Sequence, residues 1–241
     1  MVTALIFAGG TGVRMNSNTI PKQFLELHGK PILIHTIEWF EKHEMVDNIV
    51  VVCLENWIHN LENMIEKFEI SKVSRIVVGG STAQESIFNG LKAMKDSVSD
   101  DDIVLIHDGV RPLITKDLIT NNIKSVEKNG NAISVSYVNE TIIENCHDID
   151  NQRIPNRELL RIARAPQSFY YKEVFEGYNK ASVDGFSFID SSTLMLHYGH
   201  KLYPVYCESD NIKITTPIDY YMFKAVYEAR EQQQIFGVLG E

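Results

Sequence analysis

An α/β fold, a mostly parallel sheet with helices on both faces, is predicted by two features: short, near-continuous apolar runs and the helical stripes that alternate with them. The first run covers residues 4–8 and leads straight into glycines. Further runs at residues 48–54, 75–78 and 103–107 are each bounded by turn-forming residues. Continuous apolar character is what a strand covered on both faces requires. Between these runs, Leu33, Ile37 and Phe40 share one helical face. Trp57, Leu61, Ile65 and Phe68 share a second, and Ile87, Leu91 and Met94 a third. Their spacing of three and four places each set on the side that packs on a sheet, so they are read as core. Strand and helix in alternation predict right-handed crossovers.

The pattern weakens after Val138. Residues 139–156 are polar and mixed in charge, without a helical stripe, so 138–158 are expected to form a protruding arm or a long loop. Strand-like runs return at 202–206 and 211–215, and a final helix is expected from Pro217, a residue suited to a first helical turn. No internal repeat or low-complexity segment interrupts the 241 residues, and the length fits a single domain over 1–241.

Composition narrows the functional classes. Of the residues, 44% are apolar and 23% charged, and no stretch approaches the roughly 20 apolar residues of a membrane span. The first apolar run is too short for a secretory signal and lacks basic residues before it, so a soluble, cytoplasmic protein is expected. A net charge of -9 argues against nucleic acid or an anionic membrane as partner, since no basic stripe is available. Cys53, Cys146 and Cys207 are odd in number and far apart, which argues against a disulfide framework and a zinc cluster; all three are expected to be buried small apolar groups. His197 and His200 stand three apart without further ligands and are read as structural.

The chemistry centres on the N-terminal glycine segment Ala8-Gly9-Gly10-Thr11-Gly12-Val13-Arg14-Met15, with Pro21-Lys22-Gln23 shortly after. Glycines free backbone amides to close on phosphate oxygens, and Arg14 and Lys22 add positive charge. A dinucleotide loop fits poorly because Met15 stands where the third glycine belongs. Glu55, after the second strand, leaves that reading open, since an acidic residue there could hold a ribose. A Walker loop fits worse, because Lys22 has neither the preceding glycine nor a following Ser or Thr. A glycine turn flanked by solvated cations is the plainest alternative.

Five segments in order resolve the choice through a resemblance. The loop with Pro21-Lys22-Gln23-Phe24-Leu25, Gly79-Gly80 with Ser86, His107-Asp108-Gly109-Val110-Arg111-Pro112, Pro166-Gln167 and Asp210-Asn211-Ile212-Lys213-Ile214-Thr215 together resemble the sugar-alcohol-phosphate cytidylyltransferases. That family comprises the 2-C-methyl-D-erythritol 4-phosphate and ribitol-5-phosphate enzymes, and the likeness spans nearly the whole chain. It implies a Rossmann-like nucleotidyltransferase sheet and attack by an acceptor phosphate on the α-phosphorus of CTP, with Mg²⁺. On this resemblance Arg14, Lys22 and Lys213 are the catalytic cations. Ala8, Gly9, Gly10, Thr11, Gly12, Gly80, Ser81, Ser86 and Asp108 bind the nucleotide, and Asp108 and Asp210 hold the metal. Arg111 either holds Asp108 or meets the acceptor phosphate. Thr141 and Arg157, on the arm, would contact the acceptor bound to a neighbouring subunit, which implies a homodimer with a shared site. Two positions depart from the family: Ala83 stands where an arginine is usual, and Ala165 where a threonine is. The strings around Pro21, Ile32 and Pro155 look closer to the ribitol branch. A regulator that binds nucleotide without turnover and a dinucleotide-dependent oxidoreductase are the alternatives from other classes.

Overall fold

The computed structural model describes residues 1–10 and 20–236, with side chains to residue 232. The elements run in chain order as β1 (Val2–Ala8), a short hairpin of β2 (Glu26–Leu27) and β3 (Lys30–Pro31), α1 (Ile32–Glu41), β4 (Asn48–Cys53) and α2 (Ile58–Lys67). They continue through β5 (Val73–Val78), α3 (Ala83–Met94), β6 (Ile103–Asp108), α4 (Lys116–Asn129) and β7 (Asn131–Tyr137). The remainder is β8 (Arg161–Tyr170), α5 (Tyr171–Asp184), α6 (Ser191–His197), β9 (Pro204–Tyr206) and α7 (Pro217–Phe236).

Among the described residues the main sheet has the order β5-β4-β1-β6-β8-β7-β9. β1 pairs in parallel with β4 on one side and β6 on the other, and β4 pairs in parallel with β5. β8 runs antiparallel to both β6 and β7, and β9 returns parallel to β7. The sheet is thus mostly parallel with one antiparallel insertion. The chain leaves β1 toward β4 and β5, then crosses back to β6 on the far side. Such a reversal opens a crevice at the carboxyl ends of the strands, the usual ligand position in open α/β sheets.

Strand side chains alternate between two cores. Ala4, Ile6, Ile49, Val51, Ile103 and Leu105 pack with Leu33, Ile37 and Phe40 of α1, Leu61 of α2 and Ile119, Ile123 and Val126 of α4. Leu5, Val50, Val52, Val104 and Ile106 pack on the opposite face, against Ile87, Leu91 and Met94 of α3 and Val174, Tyr178 and Ala181 of α5. The three predicted stripes are therefore core, although Trp57, Ile65 and Phe68 are only partly buried. Each fully buried aliphatic or aromatic side chain contributes roughly 1.5–3 kcal/mol, so these two layers set the frame that holds the site.

Three expectations need correction. The run 211–215 is an extended loop, not a strand, although Ile212 and Ile214 alternate as strand residues do. Ile214 turns instead into a small third core beneath α7, beside Val110, Leu113 and Phe223, and its amide donates to Val110 O at 2.9 Å. The stretch before 202 is also richer in structure than its pattern suggests. β8 carries Arg161, Arg164, Gln167 and Ser168 among its apolar residues because its polar side chains meet polar partners: Ser168 Oγ donates to Asn122 Oδ1 and Gln167 Nε2 to Asp190. Finally, Cys53 is buried, but Cys207 is half-buried and Cys146 exposed. His197 lies among the rings of Phe186, Phe188 and Tyr198, a packing role.

No helix among the described residues is long and apolar enough to cross a membrane.

Candidate active site

Two cavities open along the carboxyl ends of β1 and β6. The first, about 360 Å³, is lined by Ala8, Gly9, Gly10, Lys22, Gly80, Ser81 and Ser86. The second, about 200 Å³, lies toward β8 and α6 and is lined by Arg111, Arg164, Gln167, Asp190 and Ser191, among others. Phe7, Ala83, Asp108 and Lys213 line both. Ala83 thus places a methyl group where the two cavities meet.

The first cavity is shaped by close backbone approach. A Cβ on Gly9 would lie 2.9 Å from Ser86 Oγ, and one on Gly79 3.2 Å from Gly9 Cα, so the turns after β1 and β5 touch only because both are glycine. Gly79 N donates to Cys53 O at 2.8 Å, and Gly80 N to Ser86 Oγ at 3.0 Å. Ser86 is buried and fixes the Gly-Gly turn. Thr82 caps α3 by accepting from Glu85 N at 3.1 Å. Glu85 reaches back to Ser81, the residue before the cap, whose amide and hydroxyl donate to Oε2 at 2.7 and 2.6 Å and set the rim. Lys22 reaches this cavity from the tight turn Lys22–Phe24. Thr11, Gly12 and Arg14 lie outside the described residues.

Gln23 is a residue that sequence reasoning passed over. Buried, it donates through Nε2 to Ala8 O at 2.7 Å and to Gly10 O at 3.1 Å, joining Pro-Lys-Gln to the shoulder of the glycine loop. Its place beside Lys22 was the available signal.

Asp108 ends β6 and is buried at the junction of the two cavities. Arg111 donates to Oδ2 through Nε at 3.1 Å and Nη2 at 3.0 Å, while Lys213 Nζ lies 2.5 Å from Oδ1. Arg111 Nη1 donates to Asn211 O at 2.6 Å, and Asn211 Nδ2 to Ala165 O at 2.8 Å. The loop bearing Lys213 is therefore tied to the segment after Asp108 by these side chains and by the single Ile214 amide, not by a sheet ladder. Burial alone would raise the Asp108 carboxyl, but Arg111 and Lys213 together hold it well below the usual carboxylate range. Asp108 is an anion at any working pH. The Arg111 fork thus makes the ion pair with Asp108 and a bond to Asn211, while Arg111 also lines the second cavity.

Asp210 does not join Asp108. Its Oδ2 accepts from Arg230 Nη2 of α7 at 2.7 Å, and it lines neither cavity. The expected pair of metal ligands is not assembled, because the loop carries Lys213 toward the site and the residue three before it toward α7. Among the described residues no cluster of three or more His, Cys, Asp or Glu side chains is arranged to hold a metal. Asp108 alone has the right donor type, an ionised carboxylate facing both cavities. A hard cation that takes most of its oxygens from phosphates and water needs no more.

The arm residues stay outside. Thr141 and Arg157 line neither cavity of their own chain; Arg157 is exposed and donates to Asn139 O at 3.0 Å.

His107, buried beside Asp108, is lowered to about 4, first by burial, with Asp108 pulling the other way. It is neutral at working pH and hydrogen-bonded through Nε2 to Arg111 O at 3.2 Å. Because the unfolded histidine binds its proton near 6.5 and the folded one does not until about 4, His107 removes stability as pH falls through that window. His35 and His43 are lowered too, so the contribution must be isolated by substitution. In His107→Gln, urea unfolding across pH 7 to 4 should show a slope shallower than wild type by up to about 1.4 kcal/mol per pH unit. An unchanged slope would show that His107 is protonated in the folded state.

The sequence pattern of the family described as 2-C-methyl-D-erythritol 4-phosphate cytidylyltransferase (IspD) matches residues 2–229. The chain belongs to this family. It is a nucleotidyltransferase, and the fold agrees: a crystal structure titled 4-diphosphocytidyl-2C-methyl-D-erythritol synthase, from Anaerococcus prevotii DSM 20548, superposes with a TM-score of 0.79 at 27% identity, covering 94% of this chain and 96% of that one. Among named relatives, a ribitol-5-phosphate cytidylyltransferase of Streptococcus agalactiae serotype III (strain NEM316) is 47% identical over 99% of this chain and all of its own length. A 2-C-methyl-D-erythritol 4-phosphate cytidylyltransferase of Clostridium botulinum (strain 657 / Type Ba4) is 39% identical over 94% of this chain and 97% of its own. Membership in the cytidylyltransferases excludes the oxidoreductase reading, and Glu55 is an exposed residue of the turn after β4.

Proposed function

We propose that this cytidylyltransferase transfers CMP from CTP to an alditol phosphate, with ribitol 5-phosphate as acceptor, giving CDP-ribitol and pyrophosphate. The observation that carries the reading is the pair of cavities meeting at Asp108 and Lys213. Two anionic substrates need adjoining sites that meet at the reacting phosphorus. An oxygen of the acceptor phosphate attacks the α-phosphorus, the bond from that phosphorus to the oxygen bridging to the β-phosphate breaks, and pyrophosphate departs with the electron pair. No covalent intermediate is needed; the protein aligns nucleophile and leaving group and stabilises charge on the transferring group.

In this scheme the triphosphate occupies the first cavity, over the glycine turn and beside Lys22, with Arg14 a further cation. Gly80, Ser81 and Ser86 face the nucleoside. Lys213 approaches the α-phosphoryl group, and Asp108, itself held by Arg111, fixes its ammonium. Asp108 would also hold Mg²⁺, which would neutralise triphosphate charge. The choice of ribitol 5-phosphate is supported by the 47% identical relative that bears that name. The family description and the 39% identical relative favour 2-C-methyl-D-erythritol 4-phosphate as the second reading.

We further assign the arm to a homodimer interface. Ile149 and Leu159 are 81% and 82% exposed, and Ile142, Ile143 and Ile154 are exposed beside them, an apolar surface that association would cover. Thr141 and Arg157 would then serve the acceptor bound to the second copy. The reaction belongs to the cytoplasm, where CTP is held.

A coupled pyrophosphate assay over ribitol 5-phosphate, 2-C-methyl-D-erythritol 4-phosphate and other alditol phosphates, with CTP, UTP and ATP in parallel, tests both assignments. The expected result is the highest kcat/KM for CTP with ribitol 5-phosphate. A preference for the branched acceptor would move the enzyme to the second reading, and release with no acceptor would remove both.

A further inference from the structure

The second cavity carries three cations, Arg111, Arg164 and Lys213, against two carboxylates, Asp108 and Asp190. Asp108 is divided between Arg111 and Lys213. Asp190 is committed to its own helix: Oδ1 accepts from Thr193 N, Thr193 Oγ1 and Ser192 Oγ at 2.8, 2.7 and 2.9 Å, and Oδ2 from Gln167 Nε2 at 2.9 Å. Arg164 is left over. It is half-buried on β8, its Nε donates to Ser136 Oγ at 3.1 Å, and among the described residues it makes no salt bridge.

A guanidinium keeps its charge at every working pH. Burial, and after it the neighbouring Arg111, both act against the charged form of Arg164. A cation partly stripped of water and without a counter-ion costs free energy in the empty protein. An anion entering the cavity removes that cost, and a planar fork matches two phosphate oxygens. Arg164 does not line the triphosphate cavity, so the nucleotide is not that anion.

We infer that Arg164 recognises the acceptor, holding its phosphomonoester dianion from within the same chain. The inference rests on the proposed reaction and supplies its cavity with a cation independent of any neighbouring subunit. The polyol end of the acceptor then faces Asp190, whose Oδ2 takes one bond, from Gln167, and has room to accept from a hydroxyl.

The test is steady-state kinetics of the full-length enzyme with CTP and ribitol 5-phosphate varied in turn, for wild type, Arg164→Met and Arg164→Lys. A charge-assisted hydrogen-bond pair lost from the acceptor raises its KM by about 10–100-fold in the methionine variant, with lysine intermediate. The KM for CTP should stay within about twofold. The melting temperature should not fall, since an uncompensated cation has been removed. An unchanged acceptor KM, or a rise of both KM values with a lower melting temperature, would overturn the assignment. If wild type uses none of the acceptors, the proposed reaction fails on its own account. Calorimetric titration of inorganic phosphate into wild type and Arg164→Met still decides the arginine: weaker binding in the variant supports it, equal binding overturns it.

Discussion

Lys213→Ala is expected to lower kcat by about 10³-fold, roughly 4 kcal/mol of transition-state stabilisation, while leaving the melting temperature almost unchanged. Lys213 lines both cavities and is the cation where they meet, and in the proposed reaction its charge serves the phosphorus being transferred. Its side chain is 40% exposed. Solvent screens much of its pairing with Asp108, and its loss should cost the fold little. Asp108 keeps Arg111, so the carboxylate stays ionised and in place. Stopped kinetics beside a thermal melt separate the two effects. A variant within tenfold of wild-type kcat would remove Lys213 from the reaction; a large drop in melting temperature would make it a structural residue.

Arg111→Met should do the opposite in part, losing stability as well as activity. Arg111 and Asp108 are each 7% exposed, so removing the guanidinium strands a buried carboxylate. Breaking such a pair costs about 3–5 kcal/mol, and for a chain of this size the melting temperature should fall by roughly 10 °C. The pH dependence identifies the cause. In wild type the Asp108 carboxyl is depressed, so its contribution is present above the ordinary carboxylate value near 3.9 and is lost as pH falls through the lower folded value. In the variant one counter-charge is gone and the folded value rises. The deficit is then largest at neutral pH and shrinks on acidification, as protonation neutralises the stranded group. The double variant Arg111→Met, Asp108→Leu should recover much of the stability and none of the activity. A deficit independent of pH would show that Arg111 acts through packing, and a fully stable single variant would show that Lys213 alone suffices for Asp108.

Both predictions concern a cluster whose members the sequence displayed but did not connect. His107-Asp108-Gly109-Val110-Arg111 placed a carboxylate at a strand end and an arginine three residues on, leaving open whether the arginine held the carboxylate or a substrate. The fold supplies the contacts: Nε and Nη2 hold Asp108, and Asn211 O comes to Nη1. Asp210 shows the reverse case. Its place three residues before Lys213 made it a reasonable metal ligand, but Arg230, distant in sequence, turns it toward α7. Run 211–215 has strand periodicity, yet Ile214 finds its apolar surroundings beneath α7.

What the sequence determined by itself was local: four parallel strands, the helical stripes between them, the glycine turns at strand ends and the cations around them. Apolar periodicity and glycine conformation are set by residues a few positions apart, and such signals survive in a linear reading. The tertiary structure decided what depends on distant partners. Gln23 closing on Ala8 and Gly10, β8 entering antiparallel with its polar side chains paired, and Arg164 left without a counter-ion among the described residues all follow from which surfaces meet across the fold. Hydrogen bonds and ion pairs act over a few ångströms of space whatever their separation along the chain, so only the folded molecule assigns them.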